Sequence, residues 1–178
     1  MEVIVKDKRH KSSAWKALDK SIIDTRIENY ERKLNELKQL LYKKGVSILV
    51  DGKVKETLKN EEVVSDESIW KEEFLAMKCV IGAVDSLDGA IQKINKNSGG
   101  HSATIMTQNN SVAQTFMENV DCAAVYQNAS TRFTDGGQMG VGAELAISTD
   151  KLHHRGPLGL KQLVTNKYYV FGDGQIRI

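Results

Sequence analysis

The stretch "MKCVIGAVDSLDGAIQKINKNSGGHSATIMTQNNSVAQTFMENVDCAAVYQ", Met77 to Gln127, decides the fold class. It opens with "MKCVIGAV", a continuous apolar run of strand length, as expected where both faces of a sheet are covered. "SLDGAIQKIN" then turns helical, with Ser86 placed to cap its first turn and Leu87, Ala90, Ile91 and Ile94 on one face. "SATIMT" reads as a strand, "NSVAQTFMENV" as a helix and "CAAVYQ" as a strand. Strand, helix, strand, helix, strand at this spacing predicts an α/β layered sheet with parallel neighbours.

Upstream, Trp15 to Ile23 predicts a short helix running into a brief strand. Thr25 to Lys44 predicts a longer helix, because Ile27, Tyr30, Leu34, Leu37 and Leu41 recur at helical steps and Gly45 follows. "VSILV" is a strand ended by Asp51-Gly52, and Lys53 to Asn60 a short helix or turn. Downstream, a glycine-rich stretch leads to a short helix around Gly156 to Leu163. The tail "KYYVFGDGQIRI" predicts a hairpin turning at Gly172-Asp173-Gly174. Such a ribbon must be paired or covered, and subunit contact is one way to cover it. The reading is one domain over residues 1–163, opened by a basic arm, with a ribbon over 164–178.

Composition narrows the function classes. A chain of 178 residues can bury a core without staples. A formal net charge of +2 gives no basis for a nucleic-acid partner. Lys6, Lys8, Arg9, His10 and Lys11 read as a solvated arm. No apolar run approaches the roughly 20 residues of a membrane span, so no membrane partner is expected. Cys79 and Cys122 sit inside apolar runs and read as buried thiols, which suits a reducing, cytoplasmic setting. No His, Cys, Asp or Glu cluster has metal-site spacing, so no metal is expected.

"QNASTRFTDGG", Gln127 to Gly137, leaves the carboxyl end of a strand, where ligands collect in open α/β sheets. Asn128, Ser130 and Thr131 offer neutral hydrogen bonds, and Arg132 offers a fork suited to a carboxylate or phosphate. The spacing is not a dinucleotide fingerprint. The alternative is a rigid glycine-rich turn whose polar groups satisfy one another, with Arg132 paired to Asp135 or Glu144.

"NASTRFTDGGQMGVGAELAISTDKLHHRGPLGLKQL" closely resembles the carboxyl-terminal signature of the gamma-glutamyl phosphate reductase (glutamate-5-semialdehyde dehydrogenase) family, within the aldehyde dehydrogenase superfamily. The likeness continues through "VDSLDGAIQKIN", "GGHSATIMT" and "TNKYYVFGDGQIR", from about Lys8 onward. It implies an aldehyde dehydrogenase-like catalytic domain, a carboxyl-terminal β-ribbon for oligomerisation, and NADPH-dependent reduction of L-glutamyl 5-phosphate in proline biosynthesis. It places Glu73 where that fold holds a glutamate bonded to the nicotinamide ribose. It places Ser130, Thr131 and Arg132 beside the substrate's glutamate moiety.

Two departures set this chain apart. Family members carry a stretch like R-P-S-x-C-N-A-L-E, whose cysteine is the nucleophile; in "KSSAWKALDKSII" that position holds Trp15. The indole Nε1–H is a donor only, and it cannot replace a thiolate. Intact members are also more than twice as long, and the part without a counterpart here supplies most of the cofactor domain. The signature around His101 is altered at Lys93, Asn97, Gly99 and Ala103, and His101 reads as structural. His153 and Arg155 read likewise, and His154 as idle. The expectation is a truncated, catalytically inactive relative that binds no NADP by itself and forms a homo-oligomer. The alternative is a non-catalytic interaction protein that pairs with itself or with an intact reductase.

Overall fold

The computed structural model describes residues 19–64 and 66–177. The elements run β1 (Lys20–Asp24), α1 (Tyr30–Lys43), β2 (Ser47–Val50), β3 (Glu62–Val63), β4 (Lys78–Val84), α2 (Leu87–Asn97), β5 (Ser102–Ile105), α3 (Asn110–Asn119), β6 (Ala124–Gln127), β7 (Ala146–Ser148) and β8 (Gly156–Leu158). A four-stranded sheet in the order β1-β4-β2-β3 is parallel throughout. β5 and β6 form a second parallel pair, and β7 with β8 an antiparallel one. The α/β class and parallel pairing read from the sequence hold. The strands of Met77–Gln127 nevertheless divide between two sheets, because α2 carries the chain from β4 across to β5.

β4 explains its own apolar run. Cys79, Ile81 and Ala83 face one side, in a core with Leu34, Leu37 and Leu41 of α1. Val80 and Val84 face the other, with Ile22, Leu49, Trp70, Phe74 and Ala90. Gly82 lies beneath Trp70: a Cβ there would stand 2.6 Å from the indole and 2.5 Å from Asp51 Oδ2, so a side chain fits only if Trp70 and Asp51 shift. α2 bridges the two sheets. Ala90 packs on the four-stranded sheet, while Ile91 packs with Ala103, Ile105, Ala113, Phe116 and Val120 around β5 and β6.

Three expectations need correction. α1 begins at Tyr30 rather than Thr25, because Asp24 ties up the chain ahead of it. Its carboxylate accepts from the Arg26 amide at 2.9 Å and from Arg26 Nε and Nη2 at 3.0 and 2.8 Å. The helix expected at Gly156–Leu163 is β8 followed by a short 3-10 turn, Leu160–Leu163. Pro157 has no amide proton to give a helix, and Gly156 adopts φ +96°. The tail does not fold back as a paired hairpin. A bend forms at Gly174 (φ +81°), where the Asp173 amide donates to Gln175 Oε1, but no ladder joins its two sides among the described residues. A two-stranded ribbon with nothing to pack on is marginal in water, and Tyr168 and Phe171 stand 85% and 93% exposed. The helix expected near Trp15 and the basic arm lie outside the described residues.

Candidate functional site

β5 and β6 alternate, and the polar side of that alternation builds the floor of the loop that leaves β6. Ala103 and Ile105 point into the helix-side core, whereas Ser102 and Thr104 bond to the loop. Asn128 leaves the strand in a left-handed conformation (φ 52°). Its side chain accepts from the Thr107 amide at 2.9 Å and donates to the Thr107 carbonyl at 2.8 Å. Asn128 is therefore a backbone clamp. Ser130 opens a 3-10 turn, Thr131–Phe133, and its hydroxyl accepts from the Arg132 amide at 3.2 Å. Thr134 closes the turn, fully buried, its hydroxyl 2.8 Å from both Ser102 Oγ and Tyr126 Oη.

Beyond the turn, Asp135 Oδ1 accepts from the Gly137 and Gln138 amides at 2.9 and 3.2 Å, and Glu144 Oε2 accepts from the Gly136 amide at 2.6 Å. The two carboxylates thus wind the glycine-rich segment on itself, as the rigid-turn reading expects. Arg132 behaves otherwise. It is exposed, and among the described residues it forms neither of the ion pairs that reading allowed it. Ser130, Thr131 and Arg132 come together as one short turn. Trp15 lies outside the described residues.

Glu73 stands elsewhere, at the amino-terminal approach to β4. The Phe74 amide donates to Asp19 Oδ2 at 3.2 Å, and Lys20 Nζ donates to the Glu72 carbonyl, so this approach is pinned to the start of β1. Glu73 is exposed, and among the described residues no hydrogen bond or ion pair joins it to Thr131 or Arg132.

Several other residues singled out in the sequence make contacts within the fold, whereas His153 is exposed. His101 Nδ1 lies 2.6 Å from Ser102 Oγ. Arg155 and Lys151 both reach Asp121, at 2.7 and 2.6 Å, and hold its carboxyl below the usual range, Lys151 contributing most. His154 is not idle, since its Nε2 meets the Pro157 carbonyl oxygen at 2.9 Å. Lys93 donates to Asp51 Oδ2 at 2.9 Å and lies 3.8 Å from the Trp70 ring centre. Cys79 is 0% exposed and Cys122 8%, and neither forms a disulfide. Burial pushes the Cys122 thiol up, opposed by its contact with Ser98. Among the described residues no group of three His, Cys, Asp or Glu could hold a metal, and no helix is long and apolar enough to cross a membrane.

Ser102, Thr104, Tyr126 and Thr134 were not singled out in the sequence. The signal available was the polar-apolar alternation of "SATI", which marks one face of β5 as non-core.

This arrangement matches known proteins along its length. The model of the aldehyde dehydrogenase family matches residues 21–144. The chain belongs to that family. Within the aldehyde dehydrogenases, gamma-glutamyl phosphate reductases of Listeria innocua and Clostridium perfringens are 43% and 42% identical over 177 residues, 99% of this chain. The chain spans 42% of the length of those relatives. The crystal structure of gamma-glutamyl phosphate reductase from Thermotoga maritima superposes with a TM-score of 0.87 at 39% identity, covering 94% of this chain and 40% of that one. The Saccharomyces cerevisiae reductase structure gives 0.52 at 29% identity, over 70% of this chain and 32% of that one.

Proposed function

We propose that this chain is a partial, non-catalytic relative of gamma-glutamyl phosphate reductase that keeps the substrate-side turn and lacks the nucleophile. The reaction in question passes the acyl group of L-glutamyl 5-phosphate to a cysteine thiolate and expels phosphate. A bound nicotinamide cofactor would supply the hydride that takes the thioester to the aldehyde, with the thiolate as leaving group. Trp15 supplies no thiolate at the matching position. The observation that carries the reading is where the two cysteine thiols lie. Cys79 is inside the β4 core, and Cys122 is packed with Ile91, Ala103 and Phe116. A thiol raised by burial is a poor nucleophile near neutral pH.

The exposed Arg132 guanidinium, next to Ser130 and Thr131, is suited to a carboxylate of a glutamate-like ligand. Glu73 has the exposed carboxylate that a ribose hydroxyl would need as acceptor, and when bound the dinucleotide would supply hydride. The chain alone carries no dinucleotide fingerprint, and it is expected to hold no NADP by itself. Purified chain, given NADP, phosphate and glutamate semialdehyde, should produce no NADPH above the blank. Sustained turnover overturns the proposal.

One observation favours an interaction role beside this. Tyr168, Tyr169, Val170 and Phe171 are all strongly exposed, an apolar run that a second copy, or an intact reductase, would cover.

A further inference from the structure

The turn Ser130–Arg132 is held from beneath at both ends, by polar residues of β5 and β6 and by Thr134. On its amino-terminal side the Thr104 hydroxyl donates to the Ala129 carbonyl at 2.8 Å, and the Asn128 amide donates to the Ile105 carbonyl at 2.9 Å. On its carboxyl-terminal side the Phe133 amide donates to the Ser130 carbonyl at 3.2 Å and the Thr134 amide to the Thr131 carbonyl at 3.1 Å. Thr134 is in turn fixed by its side chain, 2.8 Å from Ser102 Oγ on β5 and 2.8 Å from Tyr126 Oη on β6. A hydroxyl has one proton and two lone pairs. Thr134 can therefore donate to at most one of these neighbours while accepting from the other or from both, so its single hydroxyl ties β5 and β6 to the end of the turn. Ser102 Oγ extends the row to His101 Nδ1 at 2.6 Å. A part-buried row of hydrogen bonds of this kind, centred on the fully buried Thr134, rigidifies what it touches.

We infer that Ser102, Thr104, Tyr126 and Thr134 are positioning residues that hold the Ser130–Arg132 turn ready for an acidic amino-acid ligand. The ligand half of this inference rests on the ligand-facing reading of that turn. Order already present in a binding loop need not be supplied at binding, which is how such residues raise affinity without touching the ligand.

Thr134→Val keeps the side chain's shape and deletes the hydroxyl. In the full chain, amide exchange at Phe133 and Thr134 should then become about tenfold faster relative to Ala113 and Val120 at the two ends of α3, since a buried partner has been lost. Thr134→Ser should restore it. L-glutamate, followed by calorimetry, should bind Thr134→Val at least about fivefold more weakly than the wild type, and Thr134→Ser within about twofold. If Thr134→Val does not fold, Tyr126→Phe removes one of the two side-chain bonds and should show the same pattern more weakly. Unchanged relative exchange at Phe133 and Thr134 overturns the positioning role, whatever binds. Faster exchange in a chain whose wild type binds no L-glutamate upholds the clamp and overturns the ligand-facing reading. Faster exchange with unchanged L-glutamate affinity confines the clamp to local order and overturns its role in binding.

Discussion

Asp24 shows how a single side chain sets a boundary that periodicity misses. Ile27 does sit on the helical spacing of α1 and does pack against its core, yet it belongs to a turn. The buried Asp24 carboxylate captures Arg26 before a helix can start, and the Arg26 hydrogen bond is the largest influence holding the Asp24 carboxyl below its ordinary value. The sign follows from linkage. A carboxyl whose folded pKa is depressed contributes stability that is fully present above its unfolded value, and loses it as pH falls through the folded one. Denaturant midpoints of the wild type should therefore fall from neutral pH into the acid range more than those of Asp24→Asn, which should be weaker at neutrality. Parallel pH dependences would contradict this. Gly82 makes the companion case for packing. Nothing in "KCVIGAV" reveals that Trp70 covers this residue. Gly82→Ala should cost about 1–3 kcal/mol, as overpacking does, read from the chemical unfolding midpoint.

At the scale of elements, the legible parts are those where one local pattern suffices. Ser86 caps α2 as its position implied, accepting from the Gly89 amide at 3.1 Å. β4, α3 and the parallel pairing follow from apolar runs and their spacing. What the sequence could not display is which sheet a strand joins. β5 and β6 pair apart from β4 because Ile91 and Ile94 on α2, with Phe116 on α3, give them a core of their own. Phe116 is fully buried there, and Phe116→Ala should cost about 3–5 kcal/mol in a thermal or denaturant melt. A loss below about 1 kcal/mol would mean that this second core carries little of the fold. The candidate site was half legible for the same reason. Ser130, Thr131 and Arg132 were read from chemistry and from likeness, whereas the floor beneath them depends on Thr134 returning to β5 and β6, a contact between distant positions.

For the whole molecule, the feature that stands out is the last stretch of chain. Leu160, Leu163, Val164, Tyr168, Tyr169, Val170 and Phe171 are exposed, and they are consecutive or nearly so. Such a surface is covered by association more often than left in water. Sedimentation should show the chain larger than a monomer at micromolar concentration, and a chain ending at Leu163 should be smaller and monomeric. A monomeric full-length chain would remove this support for an interaction role. The likeness to the aldehyde dehydrogenases is to a portion of the curated relatives, and the proposed lack of turnover turns on whether either thiol can take an acyl group. The most direct measurement is the intact mass of the folded chain after exposure to L-glutamyl 5-phosphate. The mass of the wild type should stay unchanged, because both thiols are buried. A glutamyl adduct on Cys79 or Cys122 would contradict it.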